Sequence, residues 1–340
     1  MLKKILPLFT ILVMVSCGAS VSDLEKKAAA GDKAAGDQLI KMLSTNKESS
    51  VRAQAASALG NAKFKAGNVQ LLKSLETDDD TVRKEIVFSL GKIGVQSNYI
   101  ALIKIWNNKN EKDAVKLNAL KGLGYFSNGR AINILAKATK NDDSTISISA
   151  IEALGNSNSN LAVKPLLAIL KKNTKSVAAS KSLFDLNKKG SLFAVKGIIA
   201  EKVKNYEFDE SLTYLVKLIG KSKYKKAQTS LAAAYLFCPS SNTSMKAAIK
   251  VALKDINLDK SYAVVTASAL NLRSKPNTRS KVTGSLGAGE LALIIEKTAL
   301  KFKIDDKNTY WYKVKTNKNK IGWLYGGYLT ILNHTLLEKK

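Results

Sequence analysis

A pattern of ten residues recurs along the first half of the chain and constrains the fold more than any other feature. It reads VRAQAASALG at residues 51–60 and returns, with the same Leu-Gly ending, at 82–91, 115–124 and 146–155. The closing glycines, Gly60, Gly91, Gly124 and Gly155, follow one another at intervals of 31, 33 and 31 residues. A fixed period of this length is typical of stacked repeats, in which each unit buries its apolar face only against its neighbours.

The pattern weakens after the fourth copy. A fifth unit at 177–186 keeps the spacing but loses the glycine, and a weaker sixth is predicted to end near Leu236, after an insertion around 200–209. Within one unit, Leu166, Leu167 and Leu170 share a helical face, and Lys171 to Thr174 form a turn. We expect the alanines of the pattern to let helices approach closely and the recurrent glycine to end a helix in the left-handed conformation.

These units resemble HEAT repeats of the short, phycobilisome-lyase type, in which two antiparallel helices stack on the next pair. The resemblance implies an α-solenoid over residues 22–255 that offers a concave protein-binding surface. It also implies a ladder in which Arg52 and Arg83 pair with acidic residues of neighbouring units, although Lys116 and Ser147 replace the arginine later. Nothing beyond the shared repeat supports a bilin lyase activity.

Two acidic turns, Asp78 to Asp80 and Asp142-Asp143, precede repeat helices. Carboxylates at a helix start accept hydrogen bonds from free amides and oppose the positive end of the dipole. The full spacing of a calcium loop is lacking, so the turns are interpreted as caps rather than as a metal site.

The last quarter of the chain has the pattern of short strands. Leucine alternates with Asn271 and Arg273 in the stretch LNLRSKPNTRSKVTGSL at 270–286, which is followed by YWYKV at 310–314 and GWLYGGYL at 322–329. The mostly apolar run at 291–295 suits a buried strand. Together the motifs resemble a bacterial SH3-like domain, a small all-β barrel that binds ligands, over residues 262–332. The polar insertion at 301–308 departs from the family by lengthening a loop.

This predicted domain combines aromatic rings with basic side chains. Between residues 273 and 320 there are twelve Lys or Arg and four Asp or Glu. Alternation along a strand places Trp311 on the opposite face from Tyr310 and Tyr312, so both sets cannot lie in the core. Trp323 and Tyr312 suit the core. Packing and ligand contact remain open for the candidate binding residues, which with Arg273 are Tyr310, Trp311, Tyr325 and Tyr328.

The N-terminus has the pattern of an export signal. Residues 1–16 combine a short cationic start with an apolar run too short to span a bilayer. Met14 to Cys17 resembles a bacterial lipobox, which implies that Cys17 carries a lipid and that residues 17–21 form a tether, with Met14 where Leu is usual. An ordinary secretory signal with an incidental cysteine is the alternative. We expect an exported, membrane-anchored lipoprotein of the bacterial envelope, periplasmic or on the cell surface.

Residues able to perform catalysis are scarce. The single histidine, His334, falls in a polar tail at 333–340, and Cys238 ends an apolar helical stretch as a buried, inert thiol or, alternatively, an intermolecular bridge. We therefore expect neither enzymatic activity nor a cofactor or metal.

The formal net charge is +28. No nucleic-acid-binding motif accompanies it, and the anions outside a cell are lipid headgroups, cell-wall carboxylates and sulfated glycans. A lysine-rich solvated surface of compositional origin explains the charge equally well.

The leading hypothesis is a monomeric, non-enzymatic envelope scaffold. Its solenoid binds a protein partner, and the SH3-like domain, after a linker at 256–261, binds peptidoglycan or a peptide segment. One alternative is a cationic surface adhesin for sulfated glycans or acidic host proteins. Another is a regulatory or assembly subunit of an envelope enzyme.

Overall fold

The computed structural model describes residues 19–172, 175–257 and 260–332. Cys17, the turn residues Asn173 and Thr174, and His334 therefore lie outside the described part of the chain. Two compact units divide the protein, the first ending at Gly122 and the second beginning at Leu123.

The described chain up to residue 257 forms α-helices that follow one another in pairs. The first unit holds α1 (Val21–Ala29), α2 (Lys33–Thr45), α3 (Ser49–Asn61), α4 (Asn68–Thr77), α5 (Asp80–Ile93), α6 (Asn98–Asn107) and most of α7 (Asp113–Leu123). The second holds α8 (Gly129–Ala138), α9 (Ser144–Asn156), α10 (Val163–Lys171), α11 (Ser176–Leu186), α12 (Leu192–Lys204), α13 (Glu210–Lys221), α14 (Gln228–Phe237) and α15 (Thr243–Asp255). The predicted helical repeats are confirmed. None of these helices combines the length and apolar character needed to cross a bilayer.

The pairs are α2 with α3, α4 with α5, α8 with α9, α10 with α11, α12 with α13 and α14 with α15. Within each unit, second helices of successive pairs pack against each other. In the first unit α3 contacts α5, and in the second unit α11 lies between α9 and α13, which in turn contacts α15. These contacts bury the apolar face that one pair alone would leave exposed.

The recurrent glycine has a different role from the one predicted. Gly60, Gly91 and Gly155 lie inside α3, α5 and α9, and none of them has a positive φ. A Cβ at Gly91 would lie 2.5 Å from the carbonyl oxygen of Gly122, and one at Gly155 would lie 2.9 Å from the Cα of Ser182. The glycine is needed because the backbone of the next second helix passes against it, so the expectation of a left-handed helix end is wrong.

The sixth unit is also placed differently. Gly220, inside α13, makes the close contact of this position, since a Cβ there would lie 2.9 Å from the Cα of Ala252 in α15. Leu236 instead belongs to α14, the first helix of the next pair. Leu186 and Gly220 are 34 residues apart, so the spacing is nearly kept and the prediction ran one helix too far, into the apolar stretch of α14.

The acidic turns cap helices, as predicted. Asp79 Oδ1 accepts hydrogen bonds from the amides of Thr81 and Val82 at the start of α5, and Asp143 caps α9 in the same way. Among the described residues, no group of three His, Cys, Asp or Glu side chains could hold a metal ion.

The arginine ladder is present in the first unit. Arg52 Nη2 lies 2.7 Å from Asp78 Oδ1, and Arg83 binds both carboxylate oxygens of Glu111, at 2.8 and 2.5 Å. Burial alone raises the pKa of Glu111, but the hydrogen bonds from Arg83 and from the Lys112 amide, with the charge of Arg83, hold that pKa below its ordinary value. Both arginines thus join consecutive turns of the repeats.

The chain from residue 260 onward forms an antiparallel sheet. Its strands are β1 (Ser261–Val265), β2 (Ala269–Arg273), β3 (Val282–Gly287), β4 (Leu291–Lys297), β7 (Trp311–Thr316), β8 (Ile321–Tyr325) and β9 (Leu329–Leu332), in the order β3-β2-β8-β7-β4-β1-β9. Leu270 and Leu272 face a core that includes Val314 and Leu324, which confirms the predicted alternation. The SH3-like fold is thus present as a sheet with two end strands, β3 and β9.

Two expectations for this region need correction. The insertion at 301–308 is not a plain loop, because β5 (Phe302–Ile304) and β6 (Lys307–Thr309) pair as a separate hairpin, with Asp305 at a positive φ in its turn. The run at 291–295 is a strand but not a buried one, since Ala292 is buried whereas Ile295 is 48% exposed.

The sheet contacts the helical part of the second unit. α14 packs against β1 and β9, and the hydroxyls of Thr229 and Tyr262 are 3.2 Å apart. Nearby, Cys238 is a buried free thiol whose burial raises its pKa, as an inert cysteine requires.

Candidate ligand-binding cleft

A cleft of about 350 Å³ opens at the sheet, lined both by residues of the core side, such as Leu270 and Tyr328, and by outward-facing residues of β2. Asn271 and Arg273 reach it from β2 because they alternate with the core-facing Leu270 and Leu272. Trp311, at the start of β7, and Tyr325, at the end of β8, form a cross-strand pair and also line it. The same alternation that fills the core therefore sets the aromatic residues beside a cation.

The aromatic side of the cleft is built from three rings in contact. The Trp311 and Tyr325 ring centroids are 5.4 Å apart, and those of Tyr325 and Tyr328 are 6.3 Å apart, in tilted or edge-on arrangements. Trp311 and Tyr325 are 2% and 3% exposed, whereas Tyr328 is half-buried. Tyr328 is therefore the ring that a ligand can reach, and the buried rings of Tyr325 and Trp311 pack behind it and hold it rigid.

The β5–β6 hairpin supplies one wall. The Tyr325 hydroxyl lies 2.7 Å from the carbonyl oxygen of Phe302 and 2.5 Å from that of Lys307, and it donates its proton toward them. Lys307 Nζ sits 3.8 Å from the Tyr328 ring centroid, and the Tyr328 hydroxyl donates to Asp305, which raises the pKa of that phenol. The hairpin thereby places Ile304 in the cleft.

Two polar groups at the cleft lack a full set of partners among the described residues. Arg273 Nη1 donates to the carbonyl oxygen of Ser280 at 2.9 Å, and no described carboxylate forms an ion pair with this guanidinium. Trp311 Nε1 is buried and has no acceptor among the described residues. An unsatisfied buried donor costs about 1–3 kcal/mol, so a carbonyl or carboxylate reaching Trp311 or Arg273 is favoured. The cleft suits an extended ligand that bears carboxylates beside apolar groups.

The structure brings together four of the five candidate binding residues, namely Arg273, Trp311, Tyr325 and Tyr328. Tyr310 lies apart, with its ring against Tyr312 and with Lys297 Nζ 4.3 Å from its centroid. Tyr312 packs against the core as predicted. The placement of Trp323 in the core is wrong, because it is half-buried on the face opposite Leu324 and pairs with Arg273 across β2 and β8.

Sequence reasoning missed Asn271, Thr278 and Ile304, which also line the cleft. Asn271 could have been found, because it shares with Arg273 the outward face of an alternating strand. Ile304 could not, since its position depends on the hairpin folding over Tyr325.

Comparison with protein families identifies both regions. The family of HEAT repeats matches residues 36–114 and 108–184, and the bacterial SH3 domain matches residues 268–330. No curated protein matches the chain significantly.

Solved structures resemble it only distantly. Human deoxyhypusine hydroxylase in complex with glycerol is 15% identical, covers 69% of this chain and 89% of its own, and has a TM-score of 0.31. The complex of CpcE and CpcF of phycocyanin lyase from Nostoc sp. is 17% identical. It covers 59% of this chain and 88% of its own, with a TM-score of 0.40. An engineered protein is 17% identical, covers 65% of this chain and 96% of its own, and has a TM-score of 0.31. At these TM-scores none of them bears on function.

The two matched families have a common implication. Stacked helical repeats present extended binding surfaces, and a small β-domain with a cleft of rings and a cation is suited to peptide recognition. Both are features of a protein- or peptide-binding scaffold. The chain carries HEAT repeats followed by a bacterial SH3 domain.

Proposed function

We propose that the chain is a non-enzymatic lipoprotein scaffold of the bacterial envelope. Its HEAT repeats bind a protein partner, and its SH3 domain binds a cell-wall peptide or a protein segment. The observation that carries this proposal is the cleft, in which Arg273 has no carboxylate partner among the described residues and Trp311 and Tyr325 form an aromatic side. Cell-wall peptides offer the carboxylates and small apolar side chains that such a cleft accommodates.

The cleft is tested by retention of the full chain on insoluble peptidoglycan. The variant Arg273→Gln removes the charge, whereas Arg279→Gln removes an exposed charge of the same domain that does not line the cleft. Loss of a charge-assisted contact is expected to weaken retention about tenfold for Arg273→Gln, with the control unchanged. Equal retention of the two variants would contradict the assignment.

The ligand class is tested with the same material. Peptidoglycan treated with an amidase keeps its glycan strands and loses its stem peptides. Retention is expected to disappear, because the strands no longer carry the peptide carboxylates. If the chain still binds the stripped strands, the peptide assignment fails.

Anchoring through Cys17 is a separate part of the proposal. It rests on the lipobox-like residues at 14–17, and acyl chains contribute about 0.8 kcal/mol per buried methylene to membrane binding. A palmitate analogue fed to the native cells is expected to label the chain but not the Cys17→Ser variant, which moves to the soluble fraction. Label on that variant would rule out Cys17 as the lipidated residue.

A cationic surface adhesin is the second candidate, favoured by the net charge of +28. Protease added to intact cells separates the two. A periplasmic scaffold survives the treatment, whereas a surface adhesin is cut.

A further inference from the structure

A groove of about 870 Å³ lies between α8 and α10, the first helices of two consecutive pairs in the second unit. The second helices of the same pairs, α9 and α11, pack directly against each other, with Gly155 against the backbone of Ser182. Small residues thus bring the second helices into direct contact, whereas the first helices, on the other side of the pairs, leave the groove between them. We call it the α8–α10 groove.

The rim of the α8–α10 groove is strongly cationic. Five lysines line it against one carboxylate, that of Asp142; they are Lys137, Lys140, Lys164, Lys172 and Lys175. Lys175 donates to the hydroxyl of Ser147. The other four are exposed, and within residues 19–172, 175–257 and 260–332 no carboxylate forms an ion pair with them.

The floor of the same groove is apolar. Pro165, Ala168 and Ile169 of α10 and Ala136 of α8 line it. Lys164 and Ala168 also line a second groove of about 520 Å³ between α10 and α12, so the two adjoin across α10. An extended segment therefore meets apolar surface flanked by cations along the first helices of three successive pairs.

We infer that the α8–α10 groove docks an acidic segment of a partner protein, in which carboxylates are interspersed with apolar side chains. The carboxylates pair with the lysines of the rim, and the apolar side chains cover the floor. A sulfated glycan matches the rim but has no apolar side chains for the floor. A second copy of this chain is disfavoured, since each copy carries a net charge of +28. The inference rests on the proposed protein partner of the repeats and names its docking surface.

The test uses the full chain and a fluorescent peptide of about a dozen residues, in which glutamates alternate with leucines. Binding is followed by anisotropy at low salt. The double variant Lys140→Glu with Lys164→Glu is compared with Lys181→Glu combined with Lys226→Glu, two exposed lysines outside the groove. Both variants lose the same charge. Reversing two rim charges is expected to weaken binding at least about tenfold, with the control close to wild type.

Neutral variants guard against misfolding. Lys140→Gln with Lys164→Gln is expected to weaken binding by a smaller factor, while the circular dichroism spectrum stays that of wild type. If both charge-reversal variants bind the peptide equally weakly, only the overall charge matters and the inference is overturned. Equal affinity for a peptide with serine in place of leucine overturns it as well.

One comparison separates this inference from the function on which it rests. A heparin-type glycan that binds more tightly than the peptide, and is weakened by the same groove variant, overturns the choice of a protein segment. If crosslinking in the native cells then still maps a protein partner to the HEAT repeats, the proposed function stands and only its docking surface is wrong.

Discussion

The repeat arginines of the first unit and the cations that line the cleft and groove of the second unit differ in their partners. In the first unit, Arg52 is paired with Asp78 and Arg83 with Glu111, across consecutive turns of the repeats. In the second unit, Lys202 is buried between Glu207 and Asp209, but Arg273 and the four exposed lysines of the α8–α10 groove have no carboxylate partner in the described ranges. The two repeat arginines of the first unit thus stabilise the fold, whereas Arg273 and the groove lysines of the second unit are available for ligands.

The change is visible at the position of Ser147, one of the two repeat positions that lack the arginine. Arg83 and Glu111 are 28 residues apart, and Ser147 and Lys175 are joined by a hydrogen bond at the same separation. Lys175 thus takes the place of the carboxylate, and Ser147 takes the place of the arginine. The contact between the two turns is kept, but the amine of Lys175 stands where the carboxylate was, and this amine also lines the groove.

The largest expected effect on stability comes from a contact that both units share, in which a glycine of one helix packs against the backbone of another. A Cβ at Gly91 would meet the backbone of Gly122 at 2.5 Å, and one at Gly124 would meet that of Ala153 at 2.8 Å. Gly91→Ala and Gly124→Ala are each expected to lower the free energy of unfolding by about 3 kcal/mol, because the helices must move apart. Urea denaturation measures this.

Gly197 is the matched control, since it lies in α12 with no heavy atom within 4 Å of a built Cβ. Gly197→Ala is expected to raise stability by about 0.5–1 kcal/mol through helix propensity. A stable Gly91→Ala variant would show that the helix contact can relax.

The second-largest effect concerns the arginines, which have an ion-pair partner in the first unit and none, among the described residues, in the cleft of the second. Arg83→Ala leaves the buried carboxylate of Glu111 without its partner and is expected to cost about 2 kcal/mol, less than a fully buried pair because Arg83 is partly exposed. Arg273→Ala is expected to change stability by less than about 0.5 kcal/mol, while peptidoglycan retention falls. Denaturation and retention measured on both variants test the contrast. Replacing Arg83 and Glu111 together by methionine is expected to cost less than Arg83→Ala.

Acid should weaken the first unit through the same pair. The pKa of Glu111 in the folded protein is held below its ordinary value, so its contribution is complete above the unfolded pKa and is lost as pH falls through the folded one. In Glu111→Gln the free energy of unfolding is expected to fall less steeply over that acidic range. Parallel curves for the variant and wild type would assign the acid sensitivity to other carboxylates.

The smallest effect comes from rebuilding the lost rung. Ser147→Arg combined with Lys175→Glu restores the charges of the Arg83–Glu111 rung and is expected to add less than about 1 kcal/mol, as partly exposed pairs do. Each single change is expected to destabilise. Thermal denaturation of the three variants checks this, and a gain from either single change would show that the rung is not a matched pair.

The repeats were predictable because their period appears in small residues that every pair needs. The function of those residues was not, since a glycine in sequence does not show whether φ or close packing requires it; in α5 and α9 packing does. Alternation predicted that Trp311 and Tyr312 lie on opposite faces of the sheet and that Arg273 points away from Leu272, and it would have placed Asn271 beside Arg273. The face of the sheet on which Trp323 lies depends on strand pairing, and the wall that the β5–β6 hairpin forms depends on tertiary folding. Neither can be predicted from the local sequence.

The contact between α14 and the sheet has a consequence for association with other chains. An end strand presents unpaired amides and carbonyls to which a foreign strand can add. One end strand, β9, has α14 beside it, whereas β3 ends the sheet on the other side, directly after Lys281. We expect a foreign strand to add at β3, and we expect the neighbouring Lys281 to oppose the addition of a like copy.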